Sequence, residues 1–130
     1  MKIELATVAL FAGLVAAPAL AAGVSYTSAQ VSSGQSVYQR NCASCHGGSL
    51  EGTNDAPALS GSFFVDYWTG KSVADLYNYM HDFMPPTAPS SLEEAQYAAL
   101  AAYVLSENGF TGEDAALDPA GDLEAQIIGE

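Results

Sequence analysis

Apolar positions in this chain fall into one long uninterrupted stretch and several short helical runs. Leu5 to Ala17 is apolar except for Thr7 and Gly13. Residues 22–32 are rich in Ser, Thr, Ala and Gly without periodicity and predict an extended arm. From Ser33, which is suited to N-capping, Val37, Tyr38 and the Cys42 region recur at spacings of three and four, so a short helix is expected to run into Cys42. Residues 47–64 hold four glycines and one proline and read as loop. A second helix starts at Ser72-Val73-Ala74-Asp75, a capping-box-like sequence, and sets Val73, Leu76, Tyr77, Met80 and Met84 on one face before Pro85-Pro86 ends it. A third starts at the capping box Ser91-Leu92-Glu93-Glu94, continues through Tyr97, Leu100, Ala101 and Val104, and stops at Asn108-Gly109. No segment alternates like a strand, so the fold class is all-α. Long loops between three short helices make a poor core, and a large apolar ligand wrapped by those loops resolves the difficulty.

The N-terminal stretch has its own logic. Lys2 supplies a basic start, and Pro18-Ala19-Leu20-Ala21 places small residues at the −3 and −1 positions before Ala22. Residues 1–21 are therefore expected to be a cleavable signal peptide, with an uncleaved membrane anchor as the competing reading. Cleavage predicts an exported protein with no stable membrane span.

Charge narrows the partners. The chain of 130 residues has 15 acidic and 3 basic side chains and a net charge of −12, which cleavage leaves unchanged because Lys2 and Glu4 depart together. Basic residues at Lys2, Arg40 and Lys71 cannot form the patch that phosphate neutralisation requires, so nucleic acid is excluded. With 49% hydrophobic residues the chain is not an acidic disordered polymer. Two cysteines, three positions apart, are too few for a disulfide framework.

Those cysteines carry the chemistry. Cys42-Ala43-Ser44-Cys45-His46 is the attachment signature of a c-type haem (heme c): two thiols on one helical turn each form a thioether with a vinyl group, and the adjacent imidazole meets the iron. The competing readings are a thioredoxin-like pair, which needs a preceding strand; a zinc site from Cys42, Cys45, His46 and His81; and a local disulfide, which leaves His46 unexplained. For a second axial ligand, Met84 stands where the prolines force the helix to yield. Met80, one turn earlier, reads as core filling, and His81 beside Asp82 reads as surface; both stay open as rivals.

Gly34, Val37-Tyr38, Cys42 to His46, Pro57-x-Leu59, Met84-Pro85 and an aromatic-bearing C-terminal helix together resemble the class I cytochromes c. Within that class, Trp68-Thr69-Gly70-Lys71-Ser72, Asp75-Leu76-Tyr77, Met84-Pro85-Pro86, Ala102-Tyr103-Val104-Leu105 and Asn108-Gly109-Phe110 resemble the small haem c proteins associated with quinoprotein alcohol dehydrogenases. The resemblance implies a class I cytochrome c fold, three to five short helices with long loops around one covalent haem. It also implies a cytochrome c domain over 33–112, after the arm at 22–32 and before an acidic tail at 113–130. Gly34 would let the first helix approach the last beside Tyr103, Pro57 would accept a hydrogen bond from the axial histidine, and Trp68 would line the haem pocket. Relatives often have glycine where Ser90 follows Pro89, so the ligand loop departs from the pattern there.

A haem closed by His46 and Met84 has no open coordination position, so the chain reads as a periplasmic electron carrier rather than an enzyme, although it could be the electron-transfer subunit of a dehydrogenase complex. The competing class is a five-coordinate haem enzyme or gas sensor from which Met84 dissociates. The acidic surface calls for redox partners with basic docking surfaces, a quinoprotein alcohol dehydrogenase being one candidate donor and a cytochrome oxidase or another cytochrome the acceptor. Glu113 to Glu130, with six acids and no base, reads as a solvated tail, although Ile127-Ile128 hint that part of it packs back.

Overall fold

The computed structural model describes Gly13 and residues 23–130; the segment expected to be a signal peptide, 1–21, lies outside the described residues apart from Gly13. Among the described residues the fold is all-α, with α1 (Ser28–Asn41), α2 (Ala43–His46), α3 (Ser62–Trp68), α4 (Val73–Phe83) and α5 (Glu94–Glu107). Two isolated β-bridges, Ser25 with Glu113 and Ser72 with Ile127, are the pairings outside the helices. No helix among the described residues is long and apolar enough to cross a membrane.

Helix α1 begins earlier than its composition suggests. Thr27 and Gln30 form a reciprocal capping box, so the arm expected over 22–32 is helical from Ser28 and Ser33 is not its cap. The close approach expected at Gly34 is present: a Cβ there would overlap the Ala99 carbonyl oxygen and lie 2.8 Å from Tyr103 Cβ. Without that side chain α1 and α5 make the most extensive helix contact of the fold, and Tyr38 tilts against Tyr103 with ring centroids 5.5 Å apart.

Helix α4 starts as expected, with Ser72 Oγ accepting from Asp75 N–H and Asp75 accepting from Ser72 N–H. It ends at Phe83, leaving Met84 extended at φ −123°, ψ 143°. Helix α5 is capped two residues later than expected, at Glu93, whose N–H donates to Gln96 Oε1. Its C-terminus is the expected pair, Asn108 followed by Gly109 at φ +76°. The loop expected through Phe64 is corrected from Ser62 onward, where α3 forms. Gly61 enters that helix at φ +77° with no side-chain cap, and Phe64 anchors it in the core.

The solvated tail is also corrected. Leu117, Leu123 and Ile128 are buried, and backbone hydrogen bonds tie residues 113–130 to Val24 and Tyr26, just before α1, and to the α3–α4 corner. Three apolar anchors spaced along an otherwise acidic segment make it a strap across the domain. Its charged residues stay in water while its carbonyls find partners.

Candidate functional site

One helical turn carries the attachment motif. Cys42 closes α1, its N–H donating to Tyr38 C=O at 2.8 Å, and its carbonyl then accepts from Cys45 (3.2 Å) and His46 (2.9 Å) as α2 begins. The two cysteines form no disulfide, and Cys42 is half-buried and Cys45 exposed. Burial, with Cys45 beside it, pushes the Cys42 thiol up to about 11. Gly47 stops the turn at φ +90°, where a side chain would run into the Glu51 carboxylate.

His46 is oriented by the loop that follows. Gly52, at φ +80°, donates its N–H to His46 C=O (2.7 Å) and lets the 57–58 segment pass closely; a Cβ at Gly52 would lie 2.9 Å from the Pro57 carbonyl carbon. That passage brings Pro57 C=O to 2.8 Å from His46 Nδ1, where the ring N–H donates and Nε2 is left as the uncommitted nitrogen. Thr53 Oγ1–H ties the same loop to Cys45 C=O at 2.6 Å. Gly52 was not singled out from the sequence, where it is one of four loop glycines without a distinguishing neighbour.

His46 and both cysteines line a cavity of about 490 Å³. Its far walls come from three helices. Phe63, Phe64, Tyr67 and Trp68 are contributed by α3; Leu76, Tyr79 and Met80 by α4, with Met84 just beyond it; Leu100 and Val104 by α5. Trp68 stands at the centre of an aromatic ridge, with ring centroids 5.1 Å from Tyr67 and 6.0 Å from Tyr79, which in turn lies 5.2 Å from Phe83. Phe63, Tyr67, Tyr79 and Phe83 are exposed at the rim, the first at 66%. The aromatic density of residues 63–68 was the available signal for this wall.

The two methionines reach the cavity differently. Met80 packs against the hydrophobic core from within α4. Met84 has left the helix, and its backbone is held at both ends: its N–H donates to Met80 C=O (3.0 Å) and its C=O accepts from Tyr97 O–H (2.7 Å). His81 is not among the cavity residues; it pairs with Asp82 at 2.7 Å, stacks on Tyr77 and meets Tyr97 edge-on. The zinc set that would have needed His81 is not gathered, and among the described residues no cluster of three or more His, Cys, Asp or Glu is placed to hold a metal ion.

Ser90, where relatives often have glycine, adopts the left-handed φ of +56° that glycine favours. Its Oγ–H and N–H both donate to His81 C=O, at 3.1 and 3.0 Å, so the hydroxyl compensates part of the strain and the loop closes as a glycine would close it.

These residues fit a haem. Two thiols on one turn, an imidazole fixed through Nδ1, two thioethers and mainly apolar walls meet on one cavity, whose size lies within the roughly 300–1,000 Å³ of cofactor sites. No buried side-chain polar atom among the described residues lacks a partner.

Residues 29–104 match the family described as cytochrome c oxidase, cbb3-type, subunit III. The chain is 28% identical over 120 residues to the cytochrome c subunit of the cytochrome bc1 complex from Mycobacterium bovis (strain ATCC BAA-935 / AF2122/97), and equally to that of Mycobacterium tuberculosis strain H37Rv. The alignment covers 92% of this chain and 42% of each of those proteins, so the chain spans less than half of their length. Among solved structures, the sulfane dehydrogenase SoxCD from Paracoccus pantotrophus superposes with a TM-score of 0.59 at 21% identity, over 93% of this chain and 69% of that one.

Proposed function

The chain belongs to the cbb3-type cytochrome c oxidase subunit III family, a cytochrome c domain with covalently bound haem c, and from that premise we propose that it is an exported one-electron carrier with a single His/Met-ligated haem. The fold is that of a class I cytochrome c. The observation that carries the reading is the meeting of Cys42, Cys45, a Pro57-oriented His46 and the helix-terminal Met84 on one cavity.

In this reading the bound group supplies the ferric/ferrous couple, and the protein's residues do the rest. Cys42 and Cys45 would hold the group covalently as thioethers. His46 through Nε2 and Met84 through Sδ would ligate its iron. Pro57 C=O holds the imidazole in one tautomer and keeps Nε2 free to ligate. Tyr97 O–H fixes the backbone of the ligand loop through Met84 C=O. Phe64, Trp68 and Leu100 exclude water, which together with a thioether ligand favours a relatively high potential. Two protein ligands would leave no position for a substrate, which suits the site to electron transfer.

The apolar N-terminal stretch and its small-residue site support export to the periplasm, with a mature chain starting at Ala22. The net charge of −12 supports partners with basic docking surfaces around the exposed aromatic rim. A quinoprotein alcohol dehydrogenase is the donor that the runs at 68–77 and 84–92 favour, and a cytochrome oxidase or another cytochrome the acceptor. A covalent-haem stain after denaturing electrophoresis tests attachment, and a Cys42→Ala/Cys45→Ala double variant removes it. Exposure of the reduced protein to carbon monoxide at neutral pH separates carrier from sensor: an unchanged spectrum fits closed ligation, and ready binding means an open site and a different function.

A further inference from the structure

The six-acid C-terminal segment is not used by the function above, and the structure gives it a specific job. Its last turn lies across the α3–α4 corner. Gly70 N–H donates to Ile128 C=O and Ile128 N–H donates to Lys71 C=O, both at 2.9 Å, bracketing the antiparallel bridge between Ser72 and Ile127. A helix leaves its first N–H groups without intrahelical acceptors. Here the first two of α4 are met by the strap, Val73 by Gln126 C=O (2.8 Å) and Ala74 by Leu123 C=O (3.2 Å). Ser72, which caps α4, also donates its hydroxyl to Glu124 Oε2 at 3.3 Å. Ile128 is fully buried, and Gly129 passes so near that a Cβ there would lie 2.9 Å from Thr69 Cγ2.

The corner so held joins two of the three helices that form the far walls of the cavity. Trp68 is the last residue of α3, three positions before Lys71, and its C=O accepts the Lys71 N–H at 3.0 Å; Met84 caps the other end of α4. Lys71 Nζ also sits 4.0 Å over the Tyr67 ring. We propose that the strap is a clamp that sets the aromatic wall of the haem cavity, with Ile128 as its positioning residue: anchored, it holds Trp68 against the cavity; released, it frees the corner while the α1–α5 scaffold persists. Other attachments lie off the corner: Gln30 clasps Leu117 through both backbone groups, Ser25 pairs with Glu113, and Ser25 N–H donates to Gln126 Oε1 at 3.0 Å, so the strap stays tied beside α1 when its last turn leaves the corner.

The basic residues after residue 22 are Arg40, in α1, and Lys71, in the clamped corner, so trypsin reports the two regions separately. Trp68 is the sole tryptophan, and a nearby haem quenches its emission. The test uses the full-length haem-loaded protein with Ile128→Ser and the conservative Ile128→Val, and Ile128→Ala in place of the serine variant if that one yields no holoprotein. The proposal predicts at least about tenfold faster cleavage after Lys71 with cleavage after Arg40 unchanged, a rise in Trp68 emission, a lower midpoint potential, and wild-type values restored in Ile128→Val. Unchanged Lys71 cleavage and Trp68 emission would overturn it, and so would equal acceleration at Arg40, which would make the strap a general stabiliser. The emission and potential readouts rest on the haem reading whereas the tryptic readout does not, so a missing haem band and an unmoved Lys71 site are separate failures.

Discussion

Where α1 crosses α5, backbone meets backbone: Gly34 presses on the Ala99 carbonyl, with no room for a side chain of its own. Where α3 faces α4, rings meet rings around a cavity of about 490 Å³, and four of those rings stand partly in water. The first contact is complete from the chain alone, so its stability comes from exclusion of everything else. The second is finished only by what the cavity holds and what docks on its rim. A small domain thus separates a closed scaffold from an adaptable cofactor wall, and substitutions should tell the two apart.

The largest effect belongs to the closed side. Gly34→Ala places a methyl on the Ala99 carbonyl, and because helix backbone cannot yield as a flexible side chain would, about 3 kcal/mol or more of stability should be lost in denaturant titration. A loss below about 1 kcal/mol would mean the crossing is soft. Next is Tyr38, buried, with its hydroxyl donating to Gly47 C=O at 2.6 Å. Burial, followed by the neighbouring Cys42, Tyr103 and Glu51, pushes its phenol up to about 12. A raised phenol pKa means the neutral form is favoured in the fold, so this contribution is complete below about pH 10 and declines as pH rises from 10 toward 12. Tyr38→Phe should cost about 0.5–1.5 kcal/mol by removing the shorter hydrogen bond to the Gly47 carbonyl, which keeps Leu50 N–H at 3.4 Å as its other donor, and should flatten that alkaline decline.

The exposed aromatic rim should respond in rate rather than stability. Phe83 is 57% exposed and does not line the cavity, so Phe83→Ser should change stability by less than about 0.5 kcal/mol. Stopped-flow electron transfer with a basic c-type cytochrome as partner should slow several-fold, with the salt dependence retained. An unchanged rate would move the docking face elsewhere. The smallest effect is expected at Ser90→Gly. Relief of the left-handed strain, about 1–2 kcal/mol, is offset by the lost hydroxyl bond to His81 C=O, leaving a net stabilisation of up to about 1 kcal/mol in thermal melts.

The same contrast explains what could be read in the chain. Cys42 to His46, the Ser72 cap and the Asn108-Gly109 stop are local, and local chemistry is written in adjacent letters. The start of α1 was also written, as Thr27-x-x-Gln30, but Ser, Thr and Gly around it carry a competing loop signal. Helix α3 has neither cap nor room for periodicity: its seven residues are mostly aromatic, and what decides their conformation is Phe64 entering the core and Trp68 meeting Tyr79. The strap is held by backbone pairing with residues 49 to 89 positions away, for which side-chain pattern carries almost no information; Ile127-Ile128 was its one trace. Pro57 at His46 was reached through resemblance, and the structure adds the reason, the close passage that Gly52 permits.

The absorption spectrum of the ferric protein reads the proposed closure of a covalent haem by His46 and Met84. The wild type and Met80→Ala should show the weak far-red band of sulfur-to-iron charge transfer, and Met84→Ala should lose it while keeping its thioether-linked haem. Survival of the band in Met84→Ala, or its loss in Met80→Ala, would contradict the assignment.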